Sequence, residues 1–505
     1  MSDHPDAAIS GTGSGLAAER VRRLAQVDAL RAGGAEPYPY RFDRTHSVAE
    51  VRATWGELEA GAETDDEVRV AGRIVLVRDT GKLVFATILD RGAELQLFVS
   101  KAVVGDEAFP AVKALDRGDW VGVHGTVMTT RAGELSVKVR ELTLLAKSIR
   151  PLPDKWHGLT DVDTRFRQRY ADLVVNAEAR RAFEVRHAVI ASFRATFAAR
   201  EYVEVETPLL HDVAGGAHAR PFETHHNSLD MQLYLRIAIE LHLKRLIVGG
   251  MDRVFEIGRV FRNEGLSTRH NPEFTMMESY EAYADYEDVM VLTEDLIRMG
   301  ASDALGTSVV EIAGDTIDLA EPWPRRSMVD LASEGTGETI HPSRPVDELR
   351  RVAERHDVRC ESSWGPGRLV EELFEATMEK SLIRPTFVTG HPKETSPLAR
   401  ADRNDPLVTE RFELYANGRE IANGYSELND PVEQRLRFEQ EQAAKDAGDI
   451  ERGTIDEDYL RALEYGMPPT GGLGIGIDRL VMLLAGVDSI REIILFPTLR
   501  PEVWT

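Results

Sequence analysis

The stretch "FRNEGLSTRHNPEFTMMESY", residues 261–280, constrains the fold more than any other part of the chain. It is a polar loop between two runs of strand-forming residues, at about 252–262 and 272–283. The runs read as the two arms of a hairpin, which commits this region to an antiparallel sheet. Alternation along a strand puts Phe274, Met276, Glu278 and Tyr280 on one face. Arg262 and Glu264 share a face on the partner strand. From Phe274 to Glu278 the strand covers about 13 Å, which suits one elongated ligand lying along the sheet. An aromatic plate can stack on a planar ring. Arginine makes bidentate, charge-assisted bonds to phosphate, and a carboxylate at the far end suits an ammonium group. An ion-paired hairpin on a polar sheet face explains the same residues.

A second stretch, "RFELYANGREIANGYSELND" (411–430), holds Asn417-Gly418 between alternating runs, the strongest short hairpin signal. That turn sets Tyr415 opposite Glu420 and places Glu413 diagonally across from Glu420 on the same face. Diagonal neighbours lie about 7–8 Å apart at the backbone, so their carboxylates can converge. Two carboxylates with phosphate oxygens commonly hold Mg²⁺, and two solvated glutamates on an edge hairpin are the plainer explanation.

The third stretch is "GGLGIGIDRL" (471–480). Its glycines permit close backbone approach, and Arg479 falls at a helix start, where the dipole favours anions. A core strand–helix turn has the same look. The third glycine of a dinucleotide fingerprint is replaced by Asp478-Arg479, and no Gly-x-x-x-x-Gly-Lys-Ser/Thr loop occurs. A nucleotide bound here would therefore lie on an antiparallel sheet.

The rest of the chain frames these stretches. Its 505 residues suffice for two or three domains. A formal charge of −24 argues against indiscriminate coating of nucleic acid. Residues 66–150, however, hold 13 Lys/Arg against 11 Asp/Glu, which leaves room for a local nucleic-acid site. Five short alternating segments at 68–148, separated by turns, predict a small closed β-barrel of the OB type. Residues 1–15 are small, polar and glycine-rich, and are expected to be disordered. Residues 16–34 predict a helix with a basic face (Arg20, Arg22, Arg23, Arg31), either solvated or in contact with RNA. A linker is expected at 150–160. A second helix is expected at 178–200, with Phe183, Ile190, Phe193 and Phe197 on one stripe. A mostly helical segment is expected at about 285–385. Cys360 is the only cysteine, so intrachain disulfides and multi-cysteine zinc sites are excluded. The N-terminus lacks the pattern of a signal peptide and no apolar run reaches membrane-spanning length. A cytoplasmic protein is expected.

"REYVEVETPLL", "FRNE…RHNPEFT" and "GGLGIGIDR" resemble motifs 1, 2 and 3 of class II aminoacyl-tRNA synthetases. Within that class, "LYLRIAIELHLKRLIVGGMDRVFEIGRVFRNEG" and "REIANGYSELNDP" are similar to the lysyl-tRNA synthetases. The resemblance implies an α+β chain: an N-terminal helical segment (16–64), an OB-type anticodon-binding barrel (65–149), and a catalytic domain (161–505) built on an antiparallel sheet flanked by helices. It implies L-lysine, ATP and tRNA(Lys) as substrates, Mg²⁺ as cofactor, and a homodimer across motif 1. Arg262 would bind the α-phosphate, Glu264 and Asn271 would help hold ATP, and His270 and Arg479 would lie toward the γ-phosphate. Phe274 would stack on adenine, and Glu413 and Glu420 would carry Mg²⁺. Glu278, Tyr280 and Glu427 would hold the ε-ammonium, with Gly216, Glu240 and Asn423 at the α-amino and carboxylate ends. Phe85, Gln96 and Arg78 would meet an anticodon base; the alternative for Phe85 is a barrel-core residue.

Two features depart from a simple reading. Strict alternation puts Asn423 and Glu427 on the face opposite Glu420, whereas the implied pocket needs all three together. A bulge is therefore expected between Glu420 and Asn423. Ile239 stands where the family pattern has proline, which predicts a looser backbone beside Glu240. An aspartyl- or asparaginyl-type synthetase, a lysine ligase acting on protein and a non-catalytic RNA-binding paralogue remain as alternatives. The paired carboxylates Glu278 and Glu427 weigh against an acidic substrate.

Overall fold

The computed structural model describes residues 13–153, 159–312, 314–446 and 454–501. Two compact units emerge, residues 1–180 with 499–505, and residues 181–498. The disorder expected at 1–15 lies outside the described residues up to 12. At 13–15 the chain is already helical, in a helix spanning Gly13–Ala32. Part of the expected linker, 154–158, also lies outside them.

In the first unit, β1 (Glu63–Asp79), β2 (Leu83–Asp90), β3 (Ala93–Ser100), β4 (Trp120–Thr129) and β5 (Leu135–Ala146) close a barrel in the order β1-β2-β3-β5-β4. Period-two alternation turns Val84, Ala86 and Ile88 of β2 and Leu95, Leu97 and Val99 of β3 into the core. Phe85 falls between two of these and is thus on the outer face, not in the barrel core. Its ring meets Phe98 edge-on at 5.5 Å, Arg78 pairs with it in register, and Gln96 Nε2 donates to Ser136 Oγ at 2.9 Å. The basic face of the first helix is partly committed within this unit. Arg22 pairs with Glu19 and Asp116. Arg23 is buried and donates to the carbonyls of Arg117 and Ser148.

The second unit is built on a large sheet. Its strands are β6 (Val203–Glu204), β10 (Arg253–Phe261), β11 (Glu273–Ala282), β14 (Arg325–Ser327), β15 (Thr386–Thr389), β16 (Arg411–Ala416), β17 (Arg419–Ser426) and β18 (Thr470–Gly476). They lie in the order β14-β15-β16-β17-β18-β11-β10-β6. Shorter strands β7 (Leu210–His211), β8 (Glu223–His226) and β9 (Met231–Leu235) make a separate three-stranded sheet, and β12 (Val309–Ile312) pairs with β13 (Asp315–Asp318). The six inner strands are antiparallel as expected, but β14 and β6 join the edges parallel to their neighbours. The reason is connectivity. Helices intervene between β14 and β15 and between β6 and β10, and such crossovers return a chain in the same direction. The segment 285–385 holds its helices together with three short strands, β12, β13 and β14.

The Ala177–Ala199 helix buries Ala182, Val185, Val189, Phe193 and Phe197. The stripe is rotated from the expected one, leaving Phe183 and Ile190 at its margins, because a 3.6-residue period favours 182, 185/189 and 193 as the centre line. Phe197 stacks on Phe255 of β10 at 4.3 Å between ring centres. The Tyr286–Leu305 helix packs on the same core, and Gly300 lets it approach Phe193 closely. Helices Met328–Thr336, Val346–Arg355 and Pro366–Thr377 enclose a second core with Val388 of β15 and Tyr415 of β16. Replacing Phe193 with Ala should cost about 3–5 kcal/mol. Denaturant unfolding of the full chain will show it as an earlier transition of this unit.

Candidate active site

One face of the large sheet is nearly bare along β18. Leu473 and Ile475 turn into the core, so Gly472, Gly474 and Gly476 face the other way. Register then lays residues across this floor in rows. Glu278 of β11 and Asn423 of β17 flank Gly474, and Glu413 of β16 pairs with Asn423. Tyr280 and Tyr425 flank Gly472. A cavity of about 390 Å³ opens over the floor. Phe274, Glu278 and Tyr280 all line it, so the face expected for β11 is the one observed.

The Asn417-Gly418 turn forms as its sequence demands, both residues at positive φ (55° and 61°). Tyr415 pairs with Glu420 but Leu414 pairs with Ala422, which leaves Ile421 as the extra residue of a bulge. This is the expected break in register. It brings Glu420, Asn423 and Glu427 to the same cavity. Arg262 and Glu264 differ from expectation: they lie beyond the end of β10, where the chain leaves the sheet, not on the strand. They still line the cavity, with Gly216, Glu240, His270, Asn271, Glu413 and Arg479.

The two ends of the cavity differ in charge. At one end Arg262 lies over the Phe274 ring at 5.1 Å, and its buried Nε has no hydrogen-bond partner among the described residues. Burial draws its guanidinium below the ordinary value. Burial and the nearby Arg479 likewise hold His270 low. Asn271 spends its side chain on the loop, donating to the Glu273 carbonyl at 2.7 Å and accepting from Thr498 N–H at 3.2 Å. One N–H of its amide and one lone pair of its amide oxygen are committed in this way.

Asp478 anchors this end. It accepts from Thr275 N–H at 2.6 Å and pairs with Arg186, tying the helix Ile477–Ala485 to β11. Glu413 accepts from Arg411 Nη2 and from Tyr415 Oη, each at 2.6 Å, and Glu420 from Arg479 at 2.9 Å. Among the described residues no three His, Cys, Asp or Glu side chains are grouped to hold a metal ion.

The other end is acidic and buried. Glu240, Glu278 and Glu427 are 5%, 4% and 1% exposed. Burial, reinforced by Glu240, pushes Glu278 up to about 7. Burial raises Glu427 as well, against the opposing pull of Lys244. Glu278 accepts from Tyr280 Oη at 3.1 Å and from the backbone N–H of Ile239 at 3.1 Å. Ile239 thus holds one oxygen of Glu278 through its backbone. Its φ of −102° is outside proline's range, and it supplies a donor that proline lacks.

Gly472 and Lys244 escaped the sequence reading. A Cβ on Gly472 would stand 1.8 Å from Glu427 Oε1 and 2.7 Å from the Tyr280 ring. The alternate-position glycines were the available signal for the first, and the i, i+4 spacing from Glu240 for the second.

Two family models match the chain, an OB-fold nucleic acid binding domain over residues 68–145 and the class II tRNA synthetases (D, K and N) over 161–500. The chain belongs to the class II tRNA synthetases. Curated relatives of this synthetase include the lysine–tRNA ligases of Enterococcus faecalis and Bacillus subtilis, each 51% identical, and of Shouchella clausii, 52% identical. Each match covers 95% of this chain and 96–97% of the relative. Among the described residues no helix of the synthetase is long and apolar enough to cross a membrane.

Two substitutions probe the acidic end. Gly472→Ala should displace Glu427 and Tyr280 and abolish amino-acid activation in a chain that still melts cooperatively. Ile239→Pro should remove a hydrogen bond to a charged group worth about 1.5–3 kcal/mol and move the acid limb of amino-acid activation to higher pH. Ile239→Val should leave that limb in place.

Proposed function

We propose that the chain is a lysine–tRNA ligase, which activates L-lysine with ATP and passes it to the 3′ end of tRNA(Lys). The observation that carries this reading is the polarity of one cavity. Three buried carboxylates face a bare glycine floor at one end, and arginines surround an aromatic ring at the other. A primary ammonium needs the first and a nucleoside triphosphate the second. The lysine–tRNA ligase relatives match over nearly their whole length. An aspartyl- or asparaginyl-type site would have to admit a neutral or acidic side chain among Glu240, Glu278 and Glu427, at a heavy electrostatic cost.

No protein nucleophile is required. The lysine carboxylate attacks the α-phosphorus, an oxygen–phosphorus bond forms, and pyrophosphate leaves. The tRNA 3′ hydroxyl then attacks the activated carbonyl and AMP leaves. The chain supplies positioning and preorganised charge. In this reading Arg262 meets the α-phosphate, where charge accumulates, and Glu264, Asn271, His270 and Arg479 hold the rest of ATP over Phe274. Glu278, Tyr280 and Glu427 take the ε-ammonium, and Gly216, Glu240 and Asn423 take the α-amino and carboxylate groups.

Glu413 and Glu420 fit Mg²⁺ held jointly with phosphates, because the ion commonly takes one or two carboxylates and fills its remaining positions with phosphate and water oxygens. When bound, the ion would neutralise charge on the triphosphate. Arg411 and Arg479 already counter the two glutamates in the protein alone. The outer-face group Arg78, Phe85 and Gln96 is proposed to receive an anticodon base by stacking and hydrogen bonding. Val203, Leu209 and Leu210 of the motif 1 region expose apolar side chains, which supports a homodimer formed there. Work in translation would place the protein in the cytoplasm.

ATP–pyrophosphate exchange tests this directly: lysine should drive it, and exchange with aspartate but not lysine would end the reading. Glu278→Gln should raise the KM for lysine roughly 10- to 100-fold while leaving that for ATP unchanged. The pH dependence has a definite sign. Glu278 sits at about 7 when folded against 4.5 in the unfolded reference, so the folded protein holds a proton that the unfolded chain loses. Its contribution to stability falls as pH rises from 4.5 to 7, and lysine, which needs the carboxylate, binds more weakly as pH falls below 7. Calorimetry in buffers of different ionisation enthalpy should register proton release on lysine binding near pH 6.5.

A further inference from the structure

Lys244 lies one helical turn after Glu240 and is completely buried against the acidic end of the cavity. Its ammonium is 2.5 Å from Glu240 Oε1 and also pairs with Glu427 Oε2. It stands 5.6 Å from the centre of the Tyr425 ring, and Tyr425 Oη donates to Glu240 Oε2 at 2.9 Å. Glu427 Oε1 meets no donor among the described residues. Each of the two glutamates thus gives one oxygen to Lys244 and keeps the other for a different partner.

We propose that Lys244 is a positioning residue of the amino-acid site, which clasps Glu240 to Glu427 and lowers the charge of the fully ionised site from −3 to −2, the value that two ligand ammonium groups neutralise. This rests on the reading of the cavity as a lysine site. The count takes three carboxylates (Glu240, Glu278, Glu427) and one ammonium; Arg236, which also acts on Glu278, is balanced by its own pair with Glu256. Three carboxylates confined in one water-poor pocket cannot all stay ionised without counter-charge. Lysine brings an α-ammonium and an ε-ammonium, and once its carboxylate has joined the phosphate they are its only charges. With Lys244 in place they balance the pocket. Without it one carboxylate must hold a proton, and that carboxylate is lost as an acceptor.

The clasp also fixes geometry. Glu240 is read as meeting the α-amino end and Glu427 the ε-ammonium, so a single internal cation sets the distance between the two ends. The charged and titratable groups facing it are Glu240 on its own helix, Tyr425 of β17, Glu427 just beyond β17, and Tyr459 of the helix Glu457–Glu464. Glu278 and Tyr280 of β11 interact in turn with Glu240 and Glu427. Burial works against the charge on Lys244, but Glu240 and Glu427 together outweigh it and hold the ammonium above its ordinary value.

Pyrophosphate exchange by the full chain decides the matter. Lys244→Met keeps the length and removes the charge. It should raise the KM for lysine roughly a hundredfold, leave the KM for ATP unchanged, and shift the acid limb of lysine kcat/KM upward by about one pH unit. Lys244→Arg keeps the charge and should leave that limb where it is in the unaltered protein, whatever its KM. An unchanged lysine KM and acid limb in Lys244→Met, or an equal displacement of the limb in Lys244→Arg, would overturn the proposal. Should Lys244→Met fail to fold, Lys244→Gln takes its place and is read by the same two outcomes. Failure of lysine to drive exchange in the unaltered protein removes the functional reading and this inference with it. Exchange with lysine but no response to Lys244→Met removes the inference only.

Discussion

Close approach over Gly472, Gly474 and Gly476 is the constraint on which the site depends. These residues occupy alternate positions of a central strand, and their neighbours Leu473 and Ile475 are committed to the core. A side chain at any of the three would project into the cavity. At Gly472 it would also collide with Glu427 and Tyr280. The floor can be bare only because the strands beside it, β11 and β17, are in strict register with β18. One residue of slip would turn the glycines inward and the leucine and isoleucine outward. Core packing and ligand access are therefore set by the same alternation.

The electrostatics follow from that floor. Glycines leave room for large polar groups on both sides, and those groups are buried with it. Buried carboxylates are costly unless paired, and the two ends of the cavity meet this in different ways. Glu413 and Glu420 are countered by Arg411 and Arg479. At the acidic end Lys244 pairs with Glu240 and Glu427, no cation among the described residues pairs with Glu278, and burial, reinforced by Glu240, raises Glu278 to about 7. That imbalance makes the acidic end receptive to ammonium groups. The donor from Ile239 N–H opposes the shift on Glu278 and orients its carboxylate.

Some of this was legible in the residues and some was not. The barrel announced itself through five alternating segments and the turns between them. The Asn417-Gly418 turn could be read from two letters. Even the bulge at Ile421 followed from a conflict, since Glu420 and Asn423 could share a pocket only if the alternation broke between them. The parallel edges of the large sheet were missed because strands as short as Val203–Glu204 and Arg325–Ser327 carry too few residues to show a period. Asn271 reads as a ligand residue from its motif, and only the folded loop shows that its side chain also bonds backbone groups at Glu273 and Thr498.

Local chemistry, written residue by residue, determined the kinds of strand and turn, the alternation on β11 and β18, and the family of the chain, because these depend on neighbours within a few positions. Tertiary structure alone decided which charges meet. Lys244 and Glu427 are 183 positions apart in number, and Arg186 and Asp478 are 292 apart. No spacing rule joins such pairs. Their encounter is set by strand order and register, and the free energy of a buried charge depends on who stands within a few ångströms of it, which only the folded chain defines.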